Sequence, residues 1–282
     1  AEELGVPLSY VRVLSADTDL VPVDLGAYSS RETLMVGNAC VHACRQVGDR
    51  VRESVARALE IEPGRVRLAS GWAFDTGAPA DEDRRMPISA AFQLAEAEHG
   101  TVGALGHYNT PKDGVHGEYR GGTIGASPAY SFTAHVAEVE VEPETGFVDV
   151  KTIWVAHDCG RALNPMLVEG QMEGSAYMGF AEAIFEQQIM KRGDPEGGLH
   201  DAPSLLDYRL PTSLDCPEFV ALVVEAADPE GPYGAKEAGE GPLHPSLPAI
   251  ANAIWDAVGI RMDSLPFTPD RVWRALREGK SA

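Results

Sequence analysis

Two alternating stretches on either side of a PETG turn constrain this chain most. Ser131 to Val141 (SFTAHVAEVEV) alternates strongly between apolar and polar residues, and Phe147 to Ala156 (FVDVKTIWVA) alternates again before it turns apolar from Ile153 onward. A period of two sends successive side chains to opposite faces, so both stretches predict half-buried strands. Pro143 to Gly146 supplies turn chemistry, and the pair predicts an antiparallel hairpin. Elsewhere a helical period takes over. From Glu32 onward Leu34, Met35, Val41, Val47, Val51 and Val55 recur on one helical face. Met166 to Phe180 and Leu243 to Val258 read as further helices, the second closed by Gly259 as its C-cap. Strands interspersed with helices in this order predict an α+β fold, mixed sheets with packed helices.

The remaining segments are shorter. Arg65–Ala69 and Trp72–Asp75 predict two strands, Gly77–Arg85 a polar loop, and Ile88–Glu98 a helix after Pro87. Ala1–Leu4 reads as the tail of a helix ending at Gly5, which suggests a fragment or a split subunit. Tyr10–Leu14, Ala183–Met190 and Phe219–Glu225 predict strands by their β-branched and aromatic content. Thr268 as N-cap, Pro269 at the first helical position and Asp270 in the first turn predict a last helix. Gly103–Pro128, with His107, Tyr108, His116, Tyr119 and GGTIGAS, has little periodicity and reads as an irregular connection. The chain could form one domain over residues 1–282 or two subdomains divided near 125–130.

Charge and cysteine usage exclude several classes. A formal net charge of −20, from 23 basic and 43 acidic residues, repels phosphate backbones and argues against a nucleic-acid partner. No apolar run is long enough to span a bilayer, so no membrane role is expected. Cys40, Cys44, Cys159 and Cys216 form no CxxC pair and no zinc or iron–sulfur spacing. They read as free thiols of a cytoplasmic protein. Asp17, Asp19 and Asp24 lack the glycine and terminal glutamate of a calcium loop.

Three places carry candidate chemistry. Gly231–Pro242 (GPYGAKEAGEGP) is glycine-rich and leads into an apolar helix, so it predicts a positioned loop that can bring a carboxylate close to a ligand. Gly26–Arg31 is a small-residue turn at a helix start, suited either to a pyrophosphate-like ligand or to ordinary capping by Ser29 and Ser30. Gly170 and Gly174 flank Gln171 inside a helix, where each glycine costs roughly 1 kcal/mol against alanine. Such a pair implies close packing against another helix or a cofactor. Asp158 and Asn164 read as turn and capping residues.

Several ordered motifs then add a family resemblance. GAKEAGEGPLHPSLPAIANAIWDAVGIR, DCGRALNPMLVEGQMEGSAYMGFAEAIFE and LDYRLPTSLDCP resemble segments of the molybdopterin subunits of the xanthine dehydrogenase and aldehyde oxidoreductase family of molybdenum hydroxylases. Within that family the loop's KEA stretch looks most like that of 4-hydroxybenzoyl-CoA reductases. The resemblance implies the C-terminal half of a molybdenum-cofactor-binding domain. It assigns Glu240, in the Gly239-Glu240 pair, as the base beside molybdenum. It places Tyr28, Ser29, Ser30, Arg31, Gln171, Ala238 and Gly239 at the cofactor, and leaves the metal to the pterin with no direct protein ligand. Glu237 stands where many members have glycine. The resemblance further implies molybdopterin in its cytosine dinucleotide form, with 2Fe-2S and FAD centres on partner chains. The upstream GGxFG and FRGxG segments are absent, so a partner chain or a lost N-terminal part is expected to supply them. A small aromatic or heteroaromatic substrate follows. Reductive dehydroxylation of an aromatic acyl-CoA is one reading, hydroxylation of an N-heterocycle or aldehyde another, and a non-catalytic subunit completing a partner's site a third.

Overall fold

A computed structural model describes residues 1–110, 128–191, 193 and 198–279. His116, Tyr119 and GGTIGAS lie outside the described residues. The chain divides into two compact units, Ala1–Pro128 and Ala129–Ala282.

The first unit is built on helix α1, Glu32–Leu59, followed by strands β1 (Val66–Ala69), β2 (Trp72–Asp75) and β3 (Arg85–Pro87) and helix α2 (Ile88–His99). The strands form an antiparallel sheet in the order β1-β2-β3. Val51 and Val55 of α1, Leu68 and Ala73 of the sheet, and Ala91 and Ala95 of α2 make its core. Burying side chains of this kind fully is worth about 1.5–3 kcal/mol each for the larger ones. Strand β3 falls at the end of the stretch read as a polar loop; three residues with arginine at the start and proline at the end carry no alternation to find.

Two expectations fail in this unit. Ala1–Leu4 is a turn, not a helix end, with Gly5 N–H bonding Glu2 C=O at 3.2 Å and Gly71 N–H bonding Gly5 C=O at 2.8 Å. Tyr10–Leu14 is not a strand. A single 3₁₀ turn, Leu8–Tyr10, leads into extended chain that pairs with no described strand, and Leu14 is 71% exposed. The apolar alternation of YVRVL needs a neighbouring edge to become a strand, and no described strand offers one.

The second unit is centred on strand β5, Phe147–Asp158, hydrogen-bonded on one side to β4 (Thr133–Glu142) and on the other to β6 (Glu218–Val224). β4 and β5 form the expected antiparallel hairpin, with a bulge at Glu138/Val139. β6 runs parallel to β5, which requires a crossover. Helix α3, Pro165–Ile184, is part of that connection and packs on β5 and β6. Helices α4 (Ser246–Val258) and α5 (Pro269–Glu278) complete the unit. Ile153, Val155, Met172, Phe180, Ile250 and Ile254 are buried together in one core. Asn164 caps α3 by accepting the Leu167 N–H at 3.3 Å, and Gly259 caps α4 in the left-handed conformation.

Ala183–Met190 is not a strand either. Its first two residues belong to α3, because Met172, Ala176, Phe180 and Ala183 continue one helical stripe into the core. Beyond it only Met190 makes an isolated bridge, to His200.

One part-buried titratable group follows from this packing. His135 of β4 shares a 3.0 Å hydrogen bond through Nδ1 with Ser246 Oγ of α4, and its Nε2 is buried without a partner. Burial, with a smaller contribution from nearby His157, lowers its pKa from 6.5 to about 4. Between those values the unfolded histidine holds a proton that the folded one does not. The protein is therefore expected to lose stability as pH falls from 6.5 towards 4. Urea denaturation across that range should show the slope, and His135→Gln should flatten it.

Candidate active site

The glycine-rich loop is tied to the sheet through the end of β5. Lys236 is buried, and its Nζ donates to Asp158 Oδ2. Asp158 Oδ1 accepts the N–H groups of Gly160 at 3.0 Å and Ala226 at 3.1 Å. Burial works to raise this carboxyl's pKa, yet the Lys236 ammonium and the two amides outweigh it and hold the pKa below the ordinary value. The backbone reinforces the pair: Lys236 N–H bonds Cys159 C=O at 2.8 Å, and Arg161 N–H bonds Gly234 C=O at 2.9 Å. Gly160 has φ +65°, and a Cβ there would stand 2.1 Å from Gly234 O, so only glycine permits this approach. Asp158 is thus the last residue of β5, its side chain closes the turn at Gly160 as its sequence context suggests, and it is also the loop's anchor.

The next residue, Glu237, is held from three sides. Ser131 Oγ donates to its Oε1, Gly241 N–H reaches its Oε2 at 3.4 Å, and its backbone C=O accepts from His157 Nε2 at 2.9 Å. A carbonyl only accepts, so His157 carries its proton on Nε2, and Nδ1 is the partner of Thr133 Oγ1 at 2.7 Å. His157 is fully buried, and Thr133 faces it directly across the β4–β5 ladder.

Glu240 stands on the outer side of this loop. It is exposed, whereas the Glu237 side chain is 18% exposed. On one side of Glu240, Gly239 C=O accepts from the buried Ser175 Oγ of α3. Gln171 lies one helical turn before Ser175, on the same face of α3, and is exposed. Ala238 and Gly239 are half-buried between these elements.

Among the described residues, and leaving aside α3's own backbone, no atom lies within 4 Å of where a Cβ would stand at Gly170 or Gly174, so the glycines beside Gln171 pack against no described helix. The expectation of close packing within the chain is therefore corrected. What α3 presents is an exposed amide flanked by two positions without side chains, next to the loop that carries Glu240. A flat group with polar edges fits that surface, because the glycines leave room for its face and Gln171 offers both a donor and an acceptor.

In the first unit, Tyr28–Ser30 forms a 3₁₀ turn immediately before α1. Ser29 and Ser30 have φ +56° and +49°, a conformation uncommon for residues other than glycine. Arg31 occupies the N-cap position of α1 and makes no side-chain capping bond. The Arg31 guanidinium lies 4.0 Å from the centre of the Tyr28 ring and donates to its hydroxyl. Cys40 and Cys44 are free thiols, and among the described residues no group of three or more His, Cys, Asp or Glu is arranged to hold a metal ion. Asp17 and Asp24 accept nearby backbone amides, those of Asp19 and Gly26.

The sequence matches the family described as molybdopterin cofactor-binding domain over residues 1–217. The chain belongs to that family. It is 31% identical to the xanthine dehydrogenase molybdenum-binding subunit of Escherichia coli O157:H7, over 97% of this chain and 34% of that protein. It is 29% identical to the carbon monoxide dehydrogenase large chain of Hydrogenophaga pseudoflava, over 99% of this chain and 33% of that one. The crystal structure of quinoline 2-oxidoreductase from Pseudomonas putida 86 superposes with a TM-score of 0.82 at 27% identity, covering 98% of this chain and 34% of that chain. The α+β fold is thus part of a molybdenum-cofactor-binding domain, and the chain spans about a third of the length of these relatives.

Ser131, Thr133, His157, Ser175 and Lys236 escape sequence reasoning. Polar residues at inward positions of otherwise apolar strands, such as His157, were the available signal. The load carried by the Lys236–Asp158 pair is testable. Lys236→Met leaves a carboxylate buried without its cation and should cost about 3 kcal/mol in urea denaturation. Adding Asp158→Asn should recover part of that loss.

Proposed function

We propose that this chain is the part of a molybdenum hydroxylase molybdopterin subunit that carries the catalytic base and one wall of the cofactor site. The observation that carries the reading is Glu240: an exposed carboxylate on a loop tied to Ser131, to His157 of β5 and to Ser175 of α3, the helix that also carries Gln171, in a chain of this family. When bound, the molybdenum cofactor supplies the two-electron redox chemistry. Glu240 takes the proton released at the reacting centre. Gln171 would hold the cofactor by hydrogen bonding through its side-chain amide, and the backbone of Ala238 and Gly239 would help to hold it. Tyr28, Ser29, Ser30 and Arg31 of the first unit are our further candidates for binding the cofactor, with Arg31 as a cation suited to a phosphate of a cytosine dinucleotide form.

The substrate class we propose is an aromatic or heteroaromatic ring. Among relatives, nicotine 6-hydroxylase large subunit and quinoline 2-oxidoreductase are named for such rings, which supports hydroxylation of an N-heterocycle. Lys236-Glu237-Ala238 supports the finer alternative of an aromatic acyl-CoA reduced with loss of its hydroxyl. The intact Gly239-Glu240 pair favours a catalytic over a shell-completing role. Relatives about three times longer, together with exposed Leu14, Val23, Leu205, Leu206 and Leu214, support assembly with further polypeptide that completes the cofactor site. We place the 2Fe-2S and FAD centres on partner chains. The four free cysteines support a cytoplasmic setting, and no described helix is long and apolar enough to cross a membrane.

Glu240→Gln keeps size and removes the base. In the assembled enzyme it should lower kcat by on the order of 10²-fold to 10⁴-fold with molybdenum content unchanged. Glu237→Gln should have a much smaller effect, and the reverse ranking would move the base to Glu237. Gln171→Ala should reduce bound molybdopterin, measured by fluorescence of the released pterin, while circular dichroism stays as in the wild type.

A further inference from the structure

We infer that Glu237 is a positioning residue that fixes Glu240 by closing the 237–241 segment into a ring; this rests on the reading of Glu240 as the base. The ring is closed by the carboxylate itself. Oε1 takes the Ser131 hydroxyl from the start of the hairpin, and Oε2 faces the Gly241 amide at 3.4 Å. The rest of the segment presses onto that carboxylate. A Cβ at Gly241 would stand 2.5 Å from Glu237 Oε1, 2.9 Å from His157 Cε1 and 3.2 Å from Thr133 Oγ1. No residue larger than glycine fits there without displacing the ring's own closing group.

The other pins leave one residue outward. Residue 236 is tied by its amide and its ammonium, and Glu237 by its carbonyl to His157. Gly239 is tied by its carbonyl to Ser175, and Glu240 C=O accepts from Leu243 N–H at 3.2 Å. The backbone on both sides of Glu240 is therefore fixed, while its side chain is the exposed one. A loop that delivers a base gains from such fixing, because small misplacements of a catalytic group are costly in rate. The two nearby carboxylates have divided roles. Glu237 spends both oxygens on donors within the protein, and Glu240 is presented outward.

Three variants of the assembled enzyme separate these roles. Glu237→Ala opens the ring. Glu237→Gln keeps one acceptor oxygen and turns an N–H₂ towards a donor, so it serves Ser131 or Gly241 but not both. Ser131→Ala removes one tie and leaves Glu237 in place. Amide hydrogen exchange of residues 238–243 should quicken in the order wild type, Glu237→Gln, Glu237→Ala, with Ser131→Ala also above wild type. Exchange in β4 and β5 should not change. In Glu237→Ala kcat should fall about 10-fold to 10²-fold with KM little changed, the split expected when a reacting group is misplaced while substrate binding stays intact. Unchanged exchange in 238–243 overturns the inference, and so does faster exchange with wild-type kcat. If Glu237→Ala fails to assemble, Ser131→Ala decides by the same exchange and kcat criteria. Glu240→Gln at full turnover would overturn the base reading alone, since the exchange response of the ring does not depend on it.

Discussion

The buried contact between Lys236 and Asp158 is what the second unit's chemistry depends on. Taking both charges out of water is expensive, and such a pair is seldom a net gain over apolar packing. Its value here is directional. It holds the start of a glycine-rich segment against the end of β5, where two backbone amides share the same carboxylate. Glycine at positions 231, 234, 239 and 241 leaves that segment many alternative conformations, and the ion pair selects among them. From that fixed point the His157 and Ser175 contacts can act on defined backbone atoms.

The parallel pairing of β5 with β6 gives the anchor its setting. Asp158 ends the central strand, and the adjacent strand delivers Ala226 to the same carboxylate just after its own last residue. The crossover between those strands runs through α3, which carries Gln171 and Ser175. One connection therefore places the loop's anchor, a loop-binding serine and the open amide of Gln171 at the same end of the sheet. Ligands gather at strand ends for this reason, because the chain must leave the sheet there and its polar groups become available.

The sequence disclosed periodic elements well and aperiodic ones poorly. The β4–β5 hairpin, α1 and α4 were legible because each repeats one spacing over many residues. Tyr10–Leu14 misled because its alternation is real but has no described edge to pair with, and pairing is a property of the neighbour. Ala183–Met190 misled because a helical stripe and a short apolar run look alike over a few residues. β3 was too short to show any period. At the site, the glycine loop and its two glutamates could be found from composition and family motifs. The hydrogen bonds that hold Glu237 could not, since one of them comes from Ser131, 106 positions away in sequence. The glycines around Gln171 signalled a real feature, but its form was open surface rather than helix packing.

The most direct measurement is an anomalous-difference map at the molybdenum absorption edge from crystals of the assembled, cofactor-loaded enzyme. The account predicts a single metal peak facing the Glu240 carboxylate, with the pterin lying along the Gln171 face of α3. A metal peak remote from Glu240, or nearer to Glu237 than to Glu240, would contradict it.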